Sequence, residues 1–204
     1  MERPASSVTG QPVTSPFAMP RGLLGRLAGL FMLRANRQDD LLNLLDVRAG
    51  ERVLEVGYGP GALIRLIAER TGATLVQGVD PAREMRTLAA KNNRAAIQTG
   101  RVDLRIGSAA RTGLPDGSVD RIVSVNTVAI WPDLDAGLRE LRRVLRPGGT
   151  LLIAWHGGTA PSAIGRRLRL PEGKLHRLDQ ALREHVGPVS RHPLAALDVF
   201  IARG

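Results

Sequence analysis

Glu55-Val56-Gly57-Tyr58-Gly59-Pro60-Gly61 carries an apolar segment, Val53-Leu54, straight into a glycine-rich turn. Glycine lets the backbone approach a ligand where a side chain would clash. The helix that must follow offers unpaired N–H groups and positive potential at its first turn. Asp80 closes the next apolar segment about twenty residues on, where a carboxylate can accept both hydroxyls of a ribose. Each feature also has a purely structural reading, as a tight strand–helix turn and an N-capping aspartate. Together, at this spacing, they favour a nucleoside-bearing ligand. They leave its identity open, because Gly57, Gly59 and Ala62 also fit the dinucleotide fingerprint, which tolerates alanine at its third position. Tyr58 is the only tyrosine and no lysine follows it at short spacing, so a tyrosine–lysine hydride-transfer pair is excluded.

In open α/β sheets ligands bind at the carboxyl ends of strands. That rule selects Asn126 and Thr127 after the apolar segment Val119 to Val125, Trp131 just beyond, and His156 after Thr150 to Trp155. Asn126 reads either as a polar positioning group or as a turn residue, and Trp131 either as a wall of an acceptor pocket or as core packing. His156, whose ordinary pKa lies near neutral, reads either as a general base or as a plain loop histidine. His176, His185 and His192 lack metal-ligand spacing and the chain has no cysteine. No metal site, disulfide or thiol nucleophile is therefore expected. Arg166, Arg167 and Arg169 read as a solvated face or as contacts for an anionic group.

These residues need a scaffold, and the hydrophobic pattern supplies one. Val53 to Val56, Thr74 to Val79, Val102 to Ile106, Val119 to Val125 and Thr150 to Trp155 read as strands. Ala62 to Arg70 and the face Leu134, Leu138, Leu141 and Leu145 read as helices, and Pro81 suits the first turn of another. Repeated strand–helix–strand units predict an α/β fold: a Rossmann-like doubly wound sheet, mostly parallel, with helices on both faces. After Trp155 the pattern weakens. Gly157, Gly158 and Pro161 suggest a mobile loop, Glu172 to Glu184 a helix, and Asp198 to Ala202 a C-terminal antiparallel strand. Residues 1–20 read as a disordered tail. Leu23, Leu24, Leu27, Leu30 and Phe31 recur at helical spacing, and Asp39 to Leu45 fits a second short helix, so 21–46 read as an N-terminal helical lid over a domain spanning 47–204.

With these pieces in order, the sequence resembles the class I S-adenosylmethionine-dependent methyltransferases, close to the small-molecule branch typified by quinone-biosynthesis enzymes. The resemblance covers about Leu41 to Trp155. It rests on Glu55 to Gly61, on Asp80, on Leu114-Pro115-Asp116-Gly117-Ser118-Val119-Asp120, and on Leu141-Arg142-Arg143-Val144-Leu145-Arg146-Pro147-Gly148-Gly149. It implies S-adenosyl-L-methionine as cofactor, bound by Glu55, Gly57, Gly59, Gly61, Asp80, Ser108, Ala109 and Asn126. Gly57, Gly59 and Gly61 would border its methionine part, Asp80 its ribose, and Met85 or Ala82 its adenine. One departure stands out. Where the family usually has an acidic residue after the glycine that ends the third strand, Gly107 is followed here by Ser108 and Ala109. Serine accepts a hydrogen bond without bringing charge.

The expected activity is methyl transfer to a small molecule, with His156 and Asn126 as the candidate catalytic residues. Two alternatives remain: a nucleic-acid (RNA) methyltransferase, and a cofactor-binding protein without methyl transfer. The first draws on a net charge of +10, carried by 29 basic and 19 acidic residues. Against it, all but two of the basic residues are scattered arginines and aromatics for base stacking are few. The chain after the fourth strand also reads Asn126-Thr127-Val128-Ala129, not the Asn/Asp-Pro-Pro-aromatic pattern of enzymes acting on base amines. No specific nucleic-acid partner is expected. No apolar run approaches the ~18 residues needed to span a membrane, and a cytoplasmic location is the expectation.

Overall fold

In the computed structural model of the chain, Ser6 and residues 38–204 are described. Apart from Ser6, the expected tail and the expected helix around Leu23 to Phe31 lie outside these residues. The order of elements is α1 (Gln38–Leu45), β1 (Arg52–Val56), α2 (Ala62–Arg70), β2 (Leu75–Asp80), α3 (Arg83–Asn92), α4 (Arg94–Gln98) and β3 (Val102–Ile106). There follow β4 (Val119–Val125), a single 3-10 turn (Val128–Ile130), α5 (Leu134–Val144), β5 (Leu145–His156), α6 (Ala163–Leu168), α7 (Glu172–His185), β6 (Val189–Pro193) and β7 (Leu197–Arg203).

The strands form one seven-stranded sheet in the order β3-β2-β1-β4-β5-β7-β6. Pairs from β3 to β5 are parallel, and β7 runs antiparallel to both β5 and β6. The chain steps outward from β1 to β3, then returns to the other side of β1 for β4 and β5. The crevice between β1 and β4 is therefore the topological switch point where such sheets take ligands.

Strands of a parallel sheet are buried on both faces and read as near-continuous apolar runs. Val53, Leu54 and Val56 in β1 and Leu151 to Trp155 in β5 follow that rule and are all buried. One face is covered by α5 and α7, which pack Leu138, Leu141, Leu178 and Leu182 against Leu54, Ile122, Ile153 and Phe200. The other face carries α1, α2 and α3, which bring Leu41, Leu45, Ile64, Ile67 and Met85 onto Val53, Val76, Val123 and Leu152. Leu134, Leu138 and Leu141 recur at helical spacing, which makes α5 amphipathic. Asp133 caps the helix by accepting from the Ala136 N–H (2.9 Å), and Arg142 and Arg143 occupy its negative last turn.

Three details depart from the expectations. β5 begins at Leu145, before the Pro147-Gly148-Gly149 turn, because that turn is paired: the Gly148 N–H donates to the Gly204 carbonyl (2.7 Å) and the Gly204 N–H to Gly149 (3.0 Å). The stretch after His156 is tied down, since the N–H groups of Thr159 and Ala160 donate to Leu194 and Ala195 (2.9 and 2.7 Å), and it leads into α6. Polar Val189–Pro193 forms a strand because β7 offers it a ladder partner.

Candidate functional site

The glycine turn leaves β1 with Gly57, Gly59 and Gly61 all at positive φ. Gly57 is fixed from two sides. Its N–H donates to the Val79 carbonyl (2.8 Å), and a Cβ built on it would lie 2.4 Å from Cγ2 of Thr127. No side chain fits there. This contact joins the turn after β1 to the turn after β4 across the switch point.

Asp80 ends β2 beneath the same turn, 7% exposed. Its Oδ2 accepts from the Gly59 N–H (3.0 Å) and its Oδ1 from the Ala82 N–H (2.9 Å). Burial raises its pKa, and these two N–H groups pull it back. Each carboxylate oxygen keeps a second lone pair for a ribose hydroxyl. Glu55, inside β1, is fully buried and its Oε2 has no partner among the described residues. Burial, then the neighbouring Asp80 charge, push its pKa well up, against one backbone N–H from Ile64. A buried carboxyl with a free oxygen is suited to a ligand that brings positive charge.

Asn126 follows β4 in the left-handed region (φ 56°), which asparagine tolerates. Its N–H donates to the Ala154 carbonyl (2.8 Å), which locks the end of β4 to β5, and its buried Oδ1 has no partner among the described residues. The next residue, Thr127, shares a hydrogen bond with Ser124 Oγ (2.6 Å) and accepts from Trp131 Nε1 (3.1 Å). Trp131 is thus buried against Ala129 and Leu134 in the core. His156 ends β5 beside Trp155, whose ring it meets edge-on at 5.5 Å. Burial lowers its pKa, so the ring is neutral near pH 7.

Ser108 and Ala109 follow β3. Ser108 exchanges backbone hydrogen bonds with Arg111 (3.0 and 3.1 Å), which closes a tight turn. Thr112 fixes the loop to α5 by donating from its N–H (2.9 Å) and Oγ1 (2.6 Å) to Glu140 Oε1. Arg143, with these donors, holds the Glu140 carboxyl down at about 2.

The structure therefore gathers Glu55, Gly57, Gly59, Gly61, Asp80 and Asn126 around the switch point. Ser108 and Ala109 lie at the end of β3, and His156 lies at the end of β5. Met85, expected near an adenine, lies on the buried face of α3 and joins the core. The sequence reading names Thr127 but not its contact, and it misses Asn92 and Asn93. Thr127 was singled out only as following the strand, and its contact with Gly57 has no local signal. Asn92 and Asn93 bond the carbonyls of Pro60 and Gly61 (2.9 and 3.0 Å) from 32 residues away. Among the described residues no group of three His, Asp or Glu side chains could hold a metal ion.

The residues present fit S-adenosylmethionine. Among the described residues the buried oxygens Glu55 Oε2 and Asn126 Oδ1 lack partners, and the space where a Cβ at Gly59 would stand holds no atom within 4 Å. Comparison with known proteins agrees. The family described as Methyltransferase domain matches residues 54–153. The methyltransferase YdaC of Bacillus subtilis, itself uncharacterized, is 32% identical over 129 residues, covering 62% of this chain and 69% of that protein. Nocamycin O-methyltransferase of Saccharothrix syringae is 38% identical over 113 residues, covering 54% of this chain and 40% of that protein. The chain thus spans well under half the length of that relative. In fold it is similar to a S-adenosylmethionine-dependent methyltransferase from Aquifex aeolicus, with a TM-score of 0.66 at 19% identity, covering 84% of this chain and 91% of that one. Geometry, motif order and relatives agree: the chain belongs to the class I S-adenosylmethionine-dependent methyltransferase family.

Proposed function

We propose that this protein transfers a methyl group from S-adenosylmethionine to a hydroxyl of a small-molecule acceptor seated over the ends of β4 and β5. The observation that carries the reading is the contact of Gly57 with Thr127. It sets the cofactor turn against the end of β4, whose Asn126 is bonded to β5 two residues before His156. Donor and acceptor ends thus share one crevice, as alignment of the reacting atoms requires. A relative whose name specifies O-methylation supports an oxygen acceptor.

When bound, the cofactor supplies a methyl on a positively charged sulfur, an electrophile that needs no further activation. The chain's own residues do the rest. Asp80 holds the ribose hydroxyls and Glu55 offers its free oxygen to positive charge. Ser108 and the backbone of Ala109 take the adenine without the usual carboxylate. Asn126 orients ligand through its unpartnered Oδ1. His156, neutral because it is buried, takes the proton that an acceptor hydroxyl loses as its oxygen is methylated. The helical lid expected over 21–46 belongs to the same reading. Its described part, α1, buries Leu41 and Leu45 in the core and sets Asp40 beside Leu194 to Leu197, next to the end of β5. No helix among the described residues is long and apolar enough to cross a membrane, and we place the protein in the cytoplasm.

The test is incubation with methyl-labelled S-adenosylmethionine and a panel of alcohols, phenols and enols, beside purified RNA and DNA at physiological salt. Label is expected on a small molecule. Label on nucleic acid alone would overturn the acceptor assignment.

A further inference from the structure

The geometry points to Asn92 and Asn93, at the end of α3, as positioning residues that orient the cofactor turn through its carbonyls. Asn92 Nδ2 donates to the carbonyl of Pro60 (2.9 Å). Asn93 Nδ2 donates to the carbonyls of Gly61 (3.0 Å) and Ala89 (2.9 Å). Asn93 is 3% exposed and fills the space above Gly61, where a built Cβ would lie 2.7 Å from its Nδ2 and 2.8 Å from Cβ of Ala89. Its Oδ1 has no partner among the described residues. A buried acceptor without a partner is costly, and the two bonds that Nδ2 donates offset part of that cost.

What they do follows from the peptide group. A trans peptide points its C=O and N–H in opposite directions. Drawing the Gly61 carbonyl onto Asn93 turns the Ala62 N–H, the first of α2, away from α3. Drawing the Pro60 carbonyl onto Asn92 likewise sets the Gly61 N–H, which closes the turn onto the Tyr58 carbonyl (2.9 Å). The Gly61 carbonyl also accepts from the Arg65 N–H in the first turn of α2 (3.1 Å), so Asn93 reinforces a direction the helix already sets. The Pro60 carbonyl, released from Asn92, could present its negative end to the carboxylate of the cofactor's methionine part. Held, both are directed at α3, the Gly61 N–H stays on the Tyr58 carbonyl, and the Ala62 N–H at the start of α2 is left for the anion. The opposite end of α3 holds Asp80, whose Oδ1 accepts from the Ala82 N–H (2.9 Å). One helix thus anchors the ribose carboxylate at its start and the glycine turn at its end.

This inference rests on the glycine turn as the methionine subsite, and the experiment separates the two. Calorimetry with S-adenosylhomocysteine and with 5′-methylthioadenosine, which lacks the amino-acid part, reads both. If the parent protein binds S-adenosylhomocysteine no better than 5′-methylthioadenosine, the subsite reading fails and the inference with it. If it does bind it better, Asn92→Ala should weaken S-adenosylhomocysteine about fivefold, the worth of one neutral hydrogen bond, and Asn93→Ala about tenfold. Binding of 5′-methylthioadenosine should change by less than about twofold. Asn92→Asp keeps the shape but loses the donor and sets a negative charge against the carbonyl, so it should weaken S-adenosylhomocysteine at least as much as the alanine variant, while Asn92→Gln should recover part of the loss. Unchanged S-adenosylhomocysteine affinity in Asn92→Ala, with or without a lower Tm, overturns the role. So does an equal loss for both ligands. Asn92 is exposed, so its variants decide the matter even if Asn93→Ala fails to fold.

Discussion

The two halves of the binding edge are built by different means. Around β1, β2 and β3 the cofactor half is held largely through backbone groups: Gly57 on Val79, Gly59 and Ala82 on Asp80, Pro60 and Gly61 on the two asparagines. Beyond β4 the half we propose for the acceptor is held largely through side chains. Ser124, Thr127 and Trp131 form one chain of hydrogen bonds. Trp155 Nε1 donates to the Leu168 carbonyl (2.8 Å) and so pins α6 to β5. Arg191 lies over the Phe200 ring, bonds Asp198 (3.2 Å) and pairs with Glu172, tying α7 to the antiparallel strands. A wall made of side chains can be altered one residue at a time, whereas a cradle made of peptide groups tolerates little change. A fixed cofactor suits the second construction and a variable acceptor suits the first.

The sharpest way to break this contrast is at Gly57. A Gly57→Val variant places a branched side chain against Thr127 at positive φ, and it should lose S-adenosylhomocysteine binding and roughly 3 kcal/mol or more of stability. Gly59→Ala meets no atom of the described residues within 4 Å of its Cβ, so its cost in stability should be only the backbone strain of about 1–2 kcal/mol, while its methyl enters the space proposed for the cofactor and weakens S-adenosylhomocysteine. Equal losses of stability at the two positions, read by thermal melting, would mean that the close approach to Thr127 does not matter.

The acceptor half should respond in turnover alone. His156→Gln should lower the methylation rate about a hundredfold, the usual contribution of a general base, with S-adenosylhomocysteine affinity unchanged. Because burial lowers the His156 pKa, the rate should hold through neutral pH and fall only below the ordinary histidine value near 6.5. A pH–rate profile already falling from pH 8 to 7 contradicts the assignment.

Asp80→Ala should do the reverse and act on binding. Losing a hydrogen-bonded carboxylate is worth about 1.5–3 kcal/mol, or roughly 10- to 100-fold in S-adenosylhomocysteine affinity. Unchanged affinity in the folded variant would remove Asp80 from the ribose site.

The smallest effect has the opposite sign for stability. The raised pKa of Glu55 means that the folded chain favours its protonated form. Its contribution is fully present below the unfolded value near 4.3 and is lost as pH rises toward the folded value. Glu55→Gln should remove that slope and raise the stability of the ligand-free protein at pH 8 by about 1 kcal/mol, while weakening S-adenosylmethionine. Denaturant melts at pH 5 and pH 8 test it, and an unchanged difference between them would show that Glu55 is satisfied without a ligand.

The boundaries of α2 and β4 were legible in the chain because each is a local event, a periodic or continuous apolar run between turn residues. The sequence by itself also determined the sheet class, the glycine turn and the carboxylate at the end of β2. These depend on residue type over short spans, where φ/ψ preference and hydrophobic period act directly. Tertiary structure alone decided the rest. Val-Ser-Arg-His-Pro is a strand only because β7 lies beside it, and α6 is seated by Trp155, whose bond to Leu168 crosses 13 positions. Thr127 meets Gly57, and Asn93 meets Gly61, across 70 and 32 positions. Such contacts leave no period in the sequence. They come into being when the sheet reverses its order between β1 and β4 and brings distant turns to one edge.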